Sequence, residues 1–114
     1  NDTDFAVALS AINSPKVSIT VNGESYSLYA SADLYIDGTD SLCAANRRKG
    51  DLITDNGMRK KLKKLMCDKK LTTSDRDYIP IIKKSGEILY APLCAVADMA
   101  RSDKPNYTIS IYKR

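Results

Sequence analysis

The sequence predicts an α+β fold in which small antiparallel β-sheet or β-sandwich layers carry one basic amphipathic helix and a short second helix. Several short segments alternate apolar and polar residues with a period of two, which is typical of half-buried strands. Asn22-Gly23 and Ser85-Gly86 lie between pairs of such segments, as the turns of β-hairpins do. Residues 58–70 instead space their apolar side chains along one face of a helix.

The N-terminal part is predicted to form short strands. Residues 5–12 are apolar and fit either a short strand or the remnant of a helix. Residues 16–21 alternate around β-branched side chains and predict a strand, which turns at Asn22-Gly23 and pairs with residues 26–29. A third short strand is expected at residues 34–36.

The clearest helix is predicted at about residues 58–70, after a turn at residues 55–57 that can also cap it. Its apolar residues lie at positions i, i+4, i+7 and i+8 and fall within an arc of about 100°. They are Met58, Leu62, Leu65 and Met66. We expect this stripe to pack on a sheet while the lysines and the arginine between its members face water.

The C-terminal part is predicted to form a short helix at about residues 74–78, followed by strands. Residues 72–75 offer N-cap chemistry for this helix, and Pro80 ends it. The strands expected after it are residues 81–82, 88–91, 93–97 and 107–112.

The length of 114 residues suits one domain. We predict a β-rich N-terminal segment at residues 1–45 and a second unit at residues 46–114, with a single compact unit as the alternative. The acidic start without Met predicts a piece of a longer protein and no signal peptide. No apolar run approaches the roughly 20 residues that span a bilayer, so a transmembrane helix is ruled out.

Charge is strongly segregated along the chain. The net charge of +4 combines −5 over residues 1–40 (one base, six acids) with +8 over residues 47–84 (13 bases, five acids). A basic region of this kind favours a polyanionic partner. Nucleic acid is the leading candidate and an anionic membrane surface the second, while a solvated charged face is the non-functional alternative. Of these we predict nucleic acid as the partner and no membrane.

Several kinds of active site are excluded by composition. Without His, the chain lacks imidazole bases and His metal ligands. Cys43, Cys67 and Cys94 form no CxxC pair, and we expect three reduced, at least partly buried thiols in a cytosolic protein. The sequence has no phosphate-binding glycine loop and no G-x-S-x-G motif. We therefore predict no catalytic residue and no metal site in this chain.

An ordered set of motifs resembles the C-terminal domain of bacterial tRNA(Ile)-lysidine synthetase. It comprises RRKGD at residues 47–51, GMRKKLKKLM at residues 57–66, Asp68, Arg76 and Pro80, with ILYAP at residues 88–92. The chain departs from the family pattern at Met66, Thr72 and Leu93-Cys94, where the family commonly has an aromatic residue, Pro and Gly. The first 45 residues carry little resemblance.

The resemblance implies a role in tRNA modification. The parent enzyme of this family is a cytoplasmic ATP-dependent carbon–nitrogen ligase, which uses ATP with magnesium to adenylate the wobble cytidine of an isoleucine tRNA with anticodon CAU and then attaches lysine. Its SGGxDS phosphate-binding loop is absent here. The resemblance thus implies an α/β layered domain with a small β-sandwich that positions the tRNA, with no cofactor of its own. A homodimer is left open.

The candidate tRNA contacts are basic side chains of the RRKGD motif and of the predicted helix, because phosphates attract cations without reading sequence. They are Arg47, Arg48, Lys49, Arg59, Lys60, Lys63 and Lys64. Lys61 lies towards the other edge of the apolar stripe, so its contact with tRNA is left open. Asp51 and Arg76 are either structural or tRNA-binding, and an ion pair of Arg76 with Asp68 or Asp51 is the structural alternative. The rival function is a non-catalytic protein-interaction domain with a basic face.

Overall fold

The computed structural model describes residues 4–12 and 19–114, which form ten strands, two α-helices and one short 3-10 turn. The strands are β1 (Phe5–Ala11), β2 (Ile19–Val21), β3 (Glu24–Leu34), β4 (Leu42–Ala45), β5 (Leu52–Asp55), β6 (Met58–Lys61), β7 (Ile81–Lys84), β8 (Glu87–Ala91), β9 (Ala95–Val96) and β10 (Tyr107–Lys113). The helices are α1 (Leu62–Asp68) and α2 (Thr73–Tyr78), and the 3-10 turn is Asp98–Ala100.

The strands form two four-stranded antiparallel sheets and one separate hairpin. The first sheet has the order β1-β10-β3-β2, and the second has the order β4-β7-β8-β9. The hairpin pairs β5 with β6, so that Leu52 lies opposite Lys61 and Asp55 opposite Met58. This is the α+β class of layered antiparallel sheets that the sequence predicts.

The central strands of the second sheet, β7 and β8, contribute side chains to a core on each face, so this sheet forms the middle layer. Ile82 and Leu89 belong to a core shared with Ile109 and Ile111 of the first sheet. Ile81 and Ile88 belong to a second core, which also contains Leu62, Met66 and Ile53 from α1 and the hairpin. The short apolar runs at residues 81–82 and 88–91 fit this double burial. The hairpin and helices thus stand on the outer face of the second sheet.

The N-terminal strands agree only in part with the prediction. Residues 5–11 form a strand rather than a helix remnant, and the Asn22-Gly23 hairpin is confirmed, with φ of 51° and 80°. Of the strand expected at residues 16–21, only Ile19–Val21 lies within the described residues. The separate strand at residues 34–36 is wrong: Leu34 ends the long β3, and Ile36 instead exchanges two hydrogen bonds with the Asn106 side chain.

The long helix predicted at residues 58–70 is also wrong. Residues 58–61 are strand β6, and α1 contains only Leu62–Asp68. Asn56-Gly57 makes a two-residue hairpin turn with φ of 53° and 76°, a conformation that glycine adopts without strain. Strand pairing with β5 therefore overrides the helical spacing, and Met58 is 58% exposed.

The C-terminal elements agree more closely. The short helix is confirmed and begins at Thr73, with the Thr72 hydroxyl accepting a hydrogen bond from the Asp75 backbone N–H at 3.1 Å. The Ser85-Gly86 hairpin and the last strand are confirmed. The buried strand expected at residues 93–97 is wrong, because only Ala95–Val96 is extended and Leu93 is 46% exposed in a turn with φ of 66°.

Strands from both sides of residue 45 meet in each large sheet, since β10 lies between β1 and β3, and β4 pairs with β7. The division at residue 45 stays a prediction. Within the described residues, no helix is long and apolar enough to cross a membrane. All three cysteines are unbridged, but the expected burial is wrong for Cys43 and Cys67, which are exposed.

Candidate nucleic-acid interface

The predicted basic residues gather on one face that we call the basic face: the loop at residues 46–51, strand β6 and helix α1. Asp51 joins these parts. Its carboxylate accepts a hydrogen bond from the Arg48 N–H at 2.8 Å and forms an ion pair with Lys83 of β7 at 3.3 Å. Its backbone carbonyl accepts from the N–H of Leu62, the first residue of α1, at 3.0 Å. Asp51 thus has structural contacts that fix the loop against the helix.

Arg47 and Arg76 are held by the second helix. Arg47 Nε donates to the Arg76 carbonyl at 3.2 Å, and its Nη2 lies 3.4 Å from the Asp77 carboxylate. Arg76 donates to Cys67 Sγ and to Thr73 Oγ1, both at 3.1 Å. Among the described residues Arg76 makes no ion pair with Asp68 or Asp51, so the expected ion pair is wrong, although the contacts of Arg76 are structural. Arg76 instead joins α2 to the end of α1.

Two cations of β6 have acidic partners. Arg59 lies 3.5 Å from Glu87, and both side chains are more than half exposed. Lys60 Nζ lies 3.1 Å from Asp55 Oδ2 across the hairpin, and both groups are largely shielded from solvent. An exposed pair such as Arg59–Glu87 contributes about 1 kcal/mol or less. Arg59 can therefore exchange its partner for a phosphate more readily than Lys60 can.

The remaining predicted contacts carry free positive charge. Within residues 4–12 and 19–114, these side chains are exposed and have neither an ion pair nor a hydrogen-bond partner. They are Arg48, Lys49, Lys61, Lys63 and Lys64. Lys61, which the sequence left open, is among them. It is the last residue of β6 and not part of a helical stripe.

Two clefts divide the basic face on either side of Lys61. The first, of about 360 Å³, lies between the loop and the start of α1. Its lining residues are Arg47, Arg48, Lys49, Gly50, Asp51, Lys61 and Lys63. The second, of about 450 Å³, lies between β6 and α1. Its lining residues are Met58, Arg59, Lys60, Lys61, Lys64, Leu65 and Asp68.

A larger cleft of about 550 Å³ lies elsewhere, beside the edge strands β1 and β4. It is lined by Asp4, Phe5, Val7, Tyr26, Ala44, Ala45, Asn46, Tyr78 and Pro80. Because Asp4 is the only charged side chain among the described lining residues, their charge does not favour a polyanion, and size alone does not make this cleft the better candidate.

The hairpin tip is held by a clasp that sequence reasoning missed, formed by Asp98 and Arg101. The Asp98 carboxylate accepts hydrogen bonds from the N–H groups of Asn56 and Gly57, at 2.8 and 2.7 Å. These bonds hold the pKa of Asp98 below its usual range, the Gly57 bond contributing most. Arg101 lies 2.5 Å from Asp55 and also donates to Asn56 Oδ1. The Asn-Gly pair was the sequence signal for this hairpin, but no signal marked its distant partners.

Helix α1 ends in a Schellman motif at Lys69 and Lys70. The N–H of Leu71 donates to the Met66 carbonyl at 3.2 Å, and the N–H of Lys70 donates to the Cys67 carbonyl at 3.0 Å. Lys70 occupies the left-handed position, with φ of 58°, that glycine usually fills. The helix is therefore only seven residues long.

A family model described as the TilS substrate C-terminal domain matches residues 42–112. The chain belongs to this family. The match runs from the start of β4 into β10 and includes every candidate tRNA contact. The predicted resemblance is thereby confirmed, although the roles of the individual residues stay predictions.

One curated relative and one solved structure are similar to this chain. A tRNA(Ile)-lysidine synthase from Streptococcus sanguinis (strain SK36) is 30% identical over 71 residues. That alignment covers 62% of this chain but only 17% of the relative. A solved structure described as the crystal structure of TILS C-terminal domain superposes with a TM-score of 0.64. It covers 97% of this chain and 85% of that one at 19% identity, which supports the shared fold alone.

Proposed function

We propose that this chain is the tRNA-binding C-terminal region of a tRNA(Ile)-lysidine synthetase and that its basic face binds the tRNA. One observation carries the proposal: in a member of the TilS family, five exposed cations without partners among the described residues converge on one face. Unpaired cations bind a polyanion at less cost, because no internal ion pair has to be broken first.

In this proposal the ammonium groups of Lys61, Lys63 and Lys64 bind backbone phosphates as point charges, and the guanidinium of Arg48 binds as a fork. Contacts of this kind fix the position of an RNA without reading its bases. Paired RNA is recognised mainly through its shape, its phosphates and its 2′-hydroxyls. The domain would therefore hold the body of the tRNA, so that a distant nucleotide reaches the active site of the longer enzyme.

The activity proposed for the longer enzyme is the ATP-dependent attachment of lysine to the wobble cytidine of an isoleucine tRNA with anticodon CAU, in the cytoplasm. The proposal draws on the curated relative, a tRNA(Ile)-lysidine synthase, of which the chain spans 17%. Among the described residues, no three His, Cys, Asp or Glu side chains group closely enough to hold a metal ion. Within this proposal, ATP and magnesium belong to the part of the enzyme outside this chain, and a homodimer stays a prediction.

The test compares two variants that each lose two positive charges. Lys63→Ala/Lys64→Ala removes two unpaired cations from the basic face, whereas Lys84→Ala/Lys104→Ala removes two cations from other parts of the chain. Fluorescence anisotropy with a labelled tRNA(Ile) transcript, at a series of salt concentrations, gives the affinity and its salt slope. We expect the first variant to bind more weakly and its slope to fall by roughly two, while the second stays near wild type.

An unchanged affinity and slope for Lys63→Ala/Lys64→Ala would remove α1 from the interface. The same two variants, tested against poly-L-glutamate, examine the rival function. Loss of poly-L-glutamate binding in Lys63→Ala/Lys64→Ala, together with wild-type tRNA binding, would favour a protein-interaction domain that docks an acidic partner.

A further inference from the structure

Asp55 at the hairpin tip is shared between two cations. Arg101 Nη2 lies 2.5 Å from Asp55 Oδ1, and Lys60 Nζ lies 3.1 Å from Asp55 Oδ2. Each cation thus has its own carboxylate oxygen. The Asp55 side chain is 18% exposed and that of Lys60 is 32% exposed. Lys60 is therefore the member of the pair that can reach solvent by a change of rotamer.

Several contacts hold the Arg101 side chain in place. Besides Asp55, it contacts the Val96 carbonyl at 2.7 Å, Asn56 Oδ1 at 3.1 Å and the Asp98 carboxylate at 3.4 Å. Among the residues that the structure describes, Lys60 has a single side-chain partner, Asp55. The local cluster contains two carboxylates, Asp55 and Asp98, and two cations, so its formal charge is zero.

We infer that Arg101 is a positioning residue: by holding Asp55, it leaves the Lys60 ammonium free to exchange its carboxylate for a tRNA phosphate. The inference rests on the proposed function, because it concerns the same basic face. Lys60 lines the second cleft beside Lys61 and Lys64, so a phosphate in this cleft lies within reach of its side chain.

The electrostatics favour this exchange only while Arg101 is present. When Lys60 leaves, Asp55 keeps a short charge-assisted contact with a guanidinium, which is among the stronger ion-pair contacts in proteins. Without Arg101, a departing Lys60 would leave Asp55 and Asp98 with no cation between them. The carboxylates would then hold Lys60 against the hairpin, and the negative charge they expose would oppose an approaching phosphate.

The inference predicts coupling between positions 60 and 101 in tRNA binding. With Arg101 present, Lys60→Gln should weaken the affinity of the 114-residue chain for a tRNA(Ile) transcript about fivefold and lower the salt slope by about one. In the Arg101→Gln background, Lys60→Gln should change the affinity by less than about twofold, because Lys60 is already held by Asp55. Lys64→Gln is the matched control and should weaken binding equally in both backgrounds.

Two rescue variants distinguish capture of Lys60 from a loosened hairpin. Arg101→Lys keeps a cation beside Asp55. In this background, Lys60→Gln should therefore keep most of its effect on tRNA affinity. Asp55→Asn in the Arg101→Gln background removes the carboxylate that captures Lys60. This change should restore the effect of Lys60→Gln on tRNA affinity. A hairpin that is merely disordered would not recover when Asp55 is also changed. Equal effects of Lys60→Gln in the parent chain and in the Arg101→Gln background would overturn the inference.

A second measurement needs no RNA. Chemical denaturation of the single and double variants at positions 55 and 60 gives the coupling between Lys60 and Asp55. This coupling should be larger in the Arg101→Gln background than in the parent chain, and an equal coupling would also overturn the inference. If the parent chain does not bind tRNA at all, the proposed function fails, and with it the role given to Lys60. If the parent chain binds tRNA normally without coupling, only the role of Arg101 fails.

Discussion

At the scale of single residues, Asp98 shows how a carboxylate far along the chain can fix a turn. The two backbone N–H groups at the tip of an exposed hairpin would otherwise bond to water. The Asp98 carboxylate accepts both, and Arg101 lies beside it at 3.4 Å. A carboxylate accepts such bonds best when it is ionised, which is why these bonds lower the pKa of Asp98.

This geometry predicts a pH dependence of stability. The folded-state pKa of Asp98 lies below the ordinary value of 3.8, and so does that of Asp55, chiefly through its hydrogen bond from Arg101. Depressed pKa values of this kind contribute stability that is present above the ordinary pKa and is lost as the pH falls through the folded-state pKa. We therefore expect the free energy of unfolding to fall below about pH 4.

The variant Asp98→Asn tests this account, because an amide oxygen can replace only part of what two carboxylate oxygens accept. It should unfold at a lower temperature than the parent at about pH 7, and the difference should shrink toward about pH 2.5. Asp103→Asn, in an exposed turn, is the control and should follow the parent at every pH. A constant difference across the range would show that the ionised carboxylate is not what holds the turn. Thermal melts followed by circular dichroism at several pH values give these differences.

At the scale of elements, local turn chemistry made several parts of the fold predictable. Asn22-Gly23 and Ser85-Gly86 specified hairpins because the two central residues of such turns need positive φ, and the structure has those angles. The short helix at residues 73–78 was predictable from its Thr cap, which accepts the expected bond. Signals of this kind depend on contacts within two to four residues. The turns and the cap that they favour locally are therefore also present in the folded chain.

The segment at residues 58–61 was not predictable from its spacing, because helical periodicity and hairpin pairing compete for the same residues. Met58 falls on the same helical stripe as Leu62 and Met66, which favours one continuous helix. The Asn56-Gly57 turn favours a hairpin instead, and the pairing is completed by contacts 41 and 42 residues away, at Asp98. A local sequence pattern does not indicate long-range partners of this kind. For the same reason, sequence reasoning did not predict the clasp of Asp98 and Arg101.

The position at which α1 begins can be tested by replacing each of two methionines with alanine in separate variants. Met66 is fully buried in the second core, whereas Met58 is exposed on β6. Met66→Ala should lower the free energy of unfolding by about 2–5 kcal/mol, because it leaves a cavity. Met58→Ala should change it by less than about 0.5 kcal/mol. Urea denaturation measures both, and similar losses for the two variants would mean that Met58 packs in a longer helix after all.

At the scale of the whole molecule, the two large sheets depend on each other. β10 lies between β1 and β3, and its Ile109 and Ile111 contribute to the core between the sheets. The Tyr29 hydroxyl of β3 donates to the Asp75 carboxylate of α2 at 2.8 Å, and Lys113 pairs with the same carboxylate at 3.0 Å. Burial and then this hydrogen bond raise the pKa of Tyr29. The acidic N-terminal strands are thus joined to the layer that carries the basic face.

This interdependence predicts that a fragment of residues 46–114 does not fold by itself. Without residues 1–45, β10 loses both neighbours, and the core side chains of β7 and β8 that face the first sheet become exposed. Exposing a fully buried Ile or Leu side chain costs about 1.5–3 kcal/mol, and a whole domain is stable by only about 5–15 kcal/mol. The loss of burial for a handful of such side chains is therefore comparable with the whole stability of the domain. The fragment should give narrow amide dispersion in a ¹⁵N–¹H correlation spectrum and no cooperative urea transition, whereas the 114-residue chain should give both wide dispersion and a single transition. A cooperative transition for the fragment would instead establish residues 46–114 as an independent domain, in line with the division at residue 45.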